Sequence, residues 1–325
     1  MPDFAIDPSL PPGIPRDGRG TVITVGTFDG VHRGHWAVLQ EIRRRALESG
    51  RRSVLVTFHP HPLKIVRPDD APYLLTTPAE KKEILAETGL DYAVFLSFNH
   101  VLADYPPRRF VEEILLERLR VEELVIGYDH GFGKGRSGDV QTLREIGRNL
   151  GFDVDVVSPV TTEEAAVSST RIRKALLARD VETARKGLGR PYCLRGLVVR
   201  GDGRGKKLGF PTANLRVPVN GKLIPPAGVY AVRGGLRRGV FDGAIHIGPR
   251  PTFRGSPPTI ELHLLDFEGD IYGEEVRVEF IRFLREVRPF SSASALVEQL
   301  RADVEAAGEA LSREEGAWGA NGMGG

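Results

Sequence analysis

The chain is 325 residues long, 41% hydrophobic and 27% charged, with a formal net charge of +2. At roughly 150 residues per domain, this length suits about two globular domains, and the near-neutral balance argues against a surface built for polyanions such as nucleic acid. The single cysteine, Cys193, excludes an intrachain disulfide and a cysteine-rich metal site, and it suits a reducing cytosol.

Residues 1–20, MPDFAIDPSLPPGIPRDGRG, read as an irregular proline-rich arm. They lack the basic start and apolar core of a secretory signal. No run approaches the roughly 20 apolar residues of a membrane helix, so a cytoplasmic chain with no membrane partner is expected. From residue 21 to 186, short β-branched runs (VITVG, SVLVTF, AVFLSF, ELVIG, VDVV) alternate with stretches whose apolar residues recur at three and four: WAVLQEIRRRALE, PAEKKEILAETG, PRRFVEEILLERLR and TLREIGRNLG. That order predicts an α/β domain with a parallel sheet flanked by helices. Ligands in such sheets sit beyond the carboxyl ends of strands, where VGTFDG and IGYDHGFG fall.

Over 187–310 the pattern changes. LRGLVV, GVYAVR, GAIHIG, TIELHLLDF and EVRVEFIRFL follow one another with no comparable helices between them, broken by Gly and Pro. This predicts an antiparallel barrel or sandwich. One helix, from about Ser292 to Ala307, would close it, and 311–325, ending in glycines, read as a flexible tail.

The densest chemistry lies in VGTFDGVHRGH, Val25 to His35. Glycines at 26, 30 and 34 permit sharp turning and close approach of backbone to a ligand. The helix that follows would present unpaired N–H groups and a partial positive charge, which favour phosphate. With His32 and His35 on its first turn, both imidazoles would share one face and could donate to a triphosphate. A plain helix cap with incidental histidines, or a zinc-binding histidine pair, are the competing readings. VSSTRIRKAL, Val167 to Leu176, offers Ser168, Ser169 and Thr170 as N-caps, and Arg171 and Arg173 to clamp phosphate oxygens. GDGRGKKLGFPTANL, Gly201 to Leu215, contains no GxxxxGK[ST] element. Its exposed amides with Arg204, Lys206 and Lys207 could fold over phosphates, or form a solvated basic hairpin. Aromatic residues do not interleave the charges as a nucleic-acid platform requires.

His32-Arg33-Gly34-His35 resembles the HxGH nucleotidylyltransferases. More narrowly, GTFDGVHRGH with TFHPHP (Thr57 to Pro62), GYDHGFGKGRSGD (Gly127 to Asp139) and VSSTRIRKAL resembles the first half of the bacterial bifunctional riboflavin kinase/FMN adenylyltransferase family. LGFPTANL, PAGVYAV (Pro226 to Val232), GPRPTF (Gly248 to Phe253) and ELHLLDFEGDIYG (Glu261 to Gly273) are similar to its kinase half, in family order. The resemblance implies a Rossmann-like adenylyltransferase domain followed by an antiparallel riboflavin kinase barrel closed by a helix. It implies the substrates riboflavin, FMN and ATP, the product FAD, and Mg²⁺ as cofactor.

Carried onto this sequence, the resemblance gives His32 and His35 as catalytic phosphate binders. Gly26, Phe28, Asp29, Gly30, Gly127, Asp129, Ser169, Thr170 and Arg173 would complete the adenylyltransferase site. In the kinase, Glu261 would take the proton of riboflavin's terminal hydroxyl and Thr212 and Asn214 would hold the Mg-nucleotide. Gly201, Gly203, Arg204, Lys207, Gly209, Pro211 and Arg285 would lie around nucleotide and flavin. Two positions depart from the family pattern: His130 stands where an aromatic is common, and His246 where asparagine usually precedes Ile-Gly. Other readings are a chain with one active half and one flavin-sensing half, and a flavin- or RNA-binding regulator without catalysis. A monomer or weak homo-oligomer is expected.

Overall fold

The structure, a computed structural model, describes residues 13–15, 17–127, 138–158, 161, 166–201, 205, 208–218, 221–248 and 258–321, with side chains to 314. The chain divides into two compact units, Met1–Ser169 and Thr170–Gly325. The sequence places the boundary after 186; by its contacts, the stretch 170–186 groups with the barrel instead.

In the first unit, β1 (Thr21–Val25), β2 (Arg52–His59), β3 (Tyr92–Ser97), β4 (Val121–Gly127) and β5 (Asp153–Val157) form a parallel sheet of order β3-β2-β1-β4-β5. The helices are α1 (Arg33–Ser49), α2 (Leu63–Val66), α3 (Pro78–Ala86), α4 (His100–Ala103), α5 (Pro107–Phe110) and α6 (Val140–Leu150). Strand side chains alternate between faces. Ile23, Val25, Val54, Val56, Leu124 and Ile126 pack with Val111, Ile114, Leu115 and Leu143 on one face. Val22, Leu55 and Val125 meet Val38, Leu39 and Ile42 of α1 and Ile84 and Leu85 of α3 on the other. Both faces being covered explains why the strands read as continuous apolar runs. The single helix expected over PRRFVEEILLERLR is α5 followed by a π-helical turn, Val111–Leu116, in which Glu117 N donates to Glu112 O at 3.1 Å. Order reverses around β1, whose neighbours are β2 and β4, so the carboxyl ends of β1 and β4 flank the switch point where such sheets bind ligands.

The second unit holds the greater part of α7 (Ser169–Leu177), α8 (Val181–Leu188), and strands β6 (Tyr192–Val199), β7 (Ala213–Arg216), β8 (Gly228–Leu236), β9 (Gly239–Ile247), β10 (Ile260–Leu264) and β11 (Glu275–Arg285). These strands close a barrel in the order β10-β7-β6-β11-β8-β9. Strand β7, formed where LGFPTANL ends, completes the ring between β6 and β10. Tyr192, Tyr230, Ile245, Leu262, Val278 and Phe280 fill the interior.

The C-terminal helix runs Ala293–Asn321, well beyond Ala307. The flexible tail expected from 311 therefore needs correcting. Leu311 is fully buried with Ala307 and Ala310 against Ala231, Ala244 and Ile281, and Glu314 pairs with Arg185 of α8. Burial of an apolar face against the barrel holds a helix whose composition gives little periodicity.

Candidate functional site

In the first unit the turn between β1 and α1 carries three residues at positive φ: Phe28 (45°), Gly30 (83°) and Val31 (38°). Glycine tolerates this region; phenylalanine and a β-branched valine do so at a cost that the surroundings must offset. A segment some 46 residues downstream does so. The Asp29 carboxylate, 2% exposed, accepts from Leu75 N (3.1 and 2.9 Å), Thr76 N (3.0 Å) and Thr76 Oγ1 (3.2 Å). Gly30 N donates to Thr76 Oγ1 at 3.0 Å, and Lys81 Nζ donates to Thr27 O at 2.6 Å. Asp29 thus shapes the turn, its carboxylate engaged by Leu75 and Thr76.

His32 is the N-cap of α1, its Nδ1 accepting from His35 N at 3.3 Å. It precedes the first helical turn rather than lying on it. An accepting Nδ1 places the proton of a neutral ring on Nε2. The rings of His32 and His35 stack with centroids 3.6 Å apart and planes at 15°, and Phe28 backs His35 at 4.5 Å. So the two imidazoles do come together, by capping and stacking. Gly26 and Gly34 serve that stack: a Cβ at 26 would meet the Phe28 ring at 2.9 Å, and one at 34 the His32 ring at 3.2 Å. Ser169 Oγ donates to Asp29 O at 2.9 Å, bringing the start of α7 to the same turn. Thr170 and Arg173 lie further along α7, in the second unit. Gly127 ends β4, and a Cβ there would meet nothing within 4 Å. Asp129 and His130 lie outside the described residues.

Sequence reasoning missed the shallow cleft beside this turn, lined by Asp29, Phe58, His59, His61, Leu74, Thr76, Pro78, Lys81 and Phe95. Burial brings the Lys81 ammonium down to about 8, opposed by Asp29. Burial and then the Lys81 charge also lower His59 below the ordinary histidine value. The signal for Lys81 was available: it precedes Ile84 and Leu85 by three and four residues, on the buried face of α3.

In the barrel, register builds a second cluster. Glu261 of β10 stands opposite Asn214 of β7 on one side and His246 of β9 on the other. Thr212 Oγ1 donates to Glu261 Oε2 at 3.4 Å. A Cβ on Gly201 would overlap the Asn214 amide at 2.0 Å, so only glycine leaves that side chain its place. Gly209, at φ 86°, makes the turn before Pro211, whose carbonyl contacts His263 Nδ1 at 2.8 Å. Arg285 is held bidentately by Asp303 (2.7 and 2.7 Å). Its guanidinium therefore ties β11 to the C-terminal helix, a role the family resemblance did not indicate. Gly203, Arg204 and Lys207 lie outside the described residues. Among the described residues no three His, Cys, Asp or Glu side chains gather as a metal cluster. The oxygen set of Thr212, Asn214 and Glu261 suits a hard cation that keeps much of its water.

Residues 14–171 match the family described as FAD synthetase, and residues 188–311 match riboflavin kinase. The bifunctional riboflavin kinase/FMN adenylyltransferase of Pseudomonas fluorescens is 40% identical over 89% of this chain and 92% of its own length. The protein of that name from Escherichia coli K12 is 38% identical over 88% and 91%. A crystal structure published under the name macrolide-efflux protein, from Streptococcus pneumoniae, matches with a TM-score of 0.79 at 31% identity, covering 88% of this chain and 93% of that one. Among the described residues no helix is long and apolar enough to cross a membrane. With both halves matched in order and relatives aligned nearly end to end, this chain belongs to the bifunctional riboflavin kinase/FMN adenylyltransferase family.

Proposed function

We propose that the two units carry out successive steps of FAD biosynthesis, with the residues grouped above in the following roles. In the barrel, Glu261 accepts the proton of riboflavin's terminal hydroxyl as that oxygen attacks the γ-phosphorus of ATP, giving FMN and ADP. A carboxylate on a strand, fixed by Thr212 and flanked by Asn214, suits a general base. Thr212 and Asn214 would hold Mg²⁺, which when bound neutralises polyphosphate charge.

In the first unit, a phosphate oxygen of FMN attacks the α-phosphorus of ATP and pyrophosphate leaves. No protein nucleophile is needed, so positioning and charge neutralisation carry the step. His32 and His35 donate to the leaving phosphates at the entrance of α1, whose first turn contains no acidic residue. Ser169, bonded to that turn through Asp29 O, acts on the same polyphosphate. The cleft walled by Phe58, Leu74, Pro78 and Phe95 offers an apolar bed for the flavin ring. The boundary between the functional halves falls near residue 186, the partners are small molecules, and the working compartment is the cytosol.

The observation that carries this proposal is that each unit, taken alone, assembles its own motif residues into a chemically coherent cluster. Product chromatography tests it. With riboflavin, ATP and Mg²⁺, FMN should form and then FAD; with FMN supplied, FAD should form directly. FMN without FAD from either flavin would show a silent first unit, and FAD from FMN alone a silent barrel.

A further inference from the structure

One stretch of chain grips the β1–α1 turn at two points. Leu75 N and Thr76 N donate to the Asp29 carboxylate and Thr76 Oγ1 accepts from Gly30 N, which fixes the backbone after Phe28. Before Phe28, Lys81 Nζ donates to Thr27 O at 2.6 Å, and Thr57 Oγ1 of β2 donates to the same carbonyl at 3.0 Å. Phe28 lies between the two grips, at φ 45° and buried, with its ring centroid 4.5 Å from that of His35.

Lys81 reaches the carbonyl from a rigid platform. Thr77 caps α3 and Glu80 bonds back to it, closing a capping box just ahead of Lys81, with Pro78 in the first turn. Lys81 is itself buried, on the face of α3 that carries Ile84 and Leu85. A buried ammonium is costly unless hydrogen bonds and a counter-charge offset the lost water. The bonds of Lys81 go to one carbonyl and, at 3.5 Å, to Thr57 Oγ1; the attracting charge, Asp29, is already engaged by Leu75 and Thr76. For stability alone, an apolar side chain of similar length would suit α3 better, and Thr27 O would still have Thr57 as donor. What the ammonium adds is a short, charge-assisted bond to the peptide next to Phe28.

We propose that Lys81 is a positioning residue for adenylylation: its ammonium pins the Thr27 carbonyl, which holds Phe28 in the left-handed conformation and so sets the His35 ring, and the His32 ring stacked on it, for the leaving phosphates. This rests on the turn being the adenylylating centre, as proposed above. Lys81 touches no reacting atom in this role.

Adenylylation of supplied FMN by the full chain, with thermal unfolding measured on the same samples, tests the proposal. Lys81→Met should lower kcat about 10–100-fold and change the FMN KM less than about twofold, while its melting temperature near neutral pH equals or exceeds that of wild type. Lys81→Arg, which keeps a cationic donor, should recover part of kcat. A purely structural lysine would lose stability and activity together, and a flavin contact would raise the FMN KM with kcat intact; either result overturns the proposal, as does an unchanged kcat. NMR of the imidazoles gives a readout apart from turnover. Stacking at 3.6 Å displaces the ring-proton resonances of His32 and His35, and in Lys81→Met that displacement should shrink; unmoved resonances overturn the link. Thr57→Val, which removes the second donor to the same carbonyl, should lower kcat about threefold whether or not the lysine variants fold, and full activity in it counts against the pinned carbonyl. Adenylylation retained by His32→Ala would instead refute the turn as the adenylylating centre.

Discussion

The β1–α1 turn and the barrel cluster reach comparable chemical ends by different construction. At the turn, the two imidazoles lie three residues apart, and distant segments serve to hold them: Leu75, Thr76 and Lys81 grip the turn through Asp29, Gly30 and Thr27. In the barrel, the working groups are themselves distant in sequence. Asn214, Glu261 and His246 meet because three strands share a register. A site written into one turn depends on the conformation of that turn; a site written across strands depends on alignment, and a one-residue slip would turn every member to the other face.

The largest expected effects separate the two centres. Glu261→Gln should lower FMN formation by about 10²–10⁴-fold while FAD synthesis from supplied FMN persists. His32→Ala should lower adenylylation by about 10²–10³-fold and leave phosphorylation intact. Each flavin given separately, with products resolved by chromatography, reads both. Loss of both activities in either variant would break the contrast between independent centres.

Asp29→Asn sharpens it. The amide keeps one acceptor oxygen but turns N–H toward backbone donors in a buried site, so the first unit should lose about 3 kcal/mol of stability, measured by denaturant unfolding. Adenylylation should fall with it although Asp29 meets no substrate in the proposed roles.

Lys81 provides a pH test. Its folded value of about 8 lies below the ordinary 10.5, so between these the unfolded chain binds a proton that the folded chain has released. Unfolding free energy should therefore climb with pH across that window, by about 1–3 kcal/mol, and the penalty for burying the charge should be whole below about 8. Lys81→Met should show no such climb in a pH series of urea melts. Smallest is Gly34→Ala. Its Cβ, 3.2 Å from His32 Cε1 and Nδ1, asks the ring to give by a few tenths of an ångström. Adenylylation should drop about threefold with little change in melting temperature.

The contrast also explains what was legible beforehand. The turn announces itself because VGTFDGVHRGH is contiguous, and alternating strands and helices set the parallel sheet. What stayed hidden was the destination of Asp29, whose partners lie 46 residues away. In the barrel the motif LGFPTANL was visible, yet its last residues form β7 rather than loop. The adjacency of His246 and Glu261 required a register that periodicity does not supply. Arg285 shows the same limit, since its partner Asp303 sits on a helix whose extent depends on what it covers.

That helix constrains the gene in an unusual place. Terminal codons are ordinarily the most dispensable, but a stop shortly after Ala307 would strip Ala310 and Leu311 from the barrel wall and leave Arg185 without the carboxylate of Glu314. Loss of that stretch would unroof the same helix–barrel wall in which Asp303 holds Arg285 of β11.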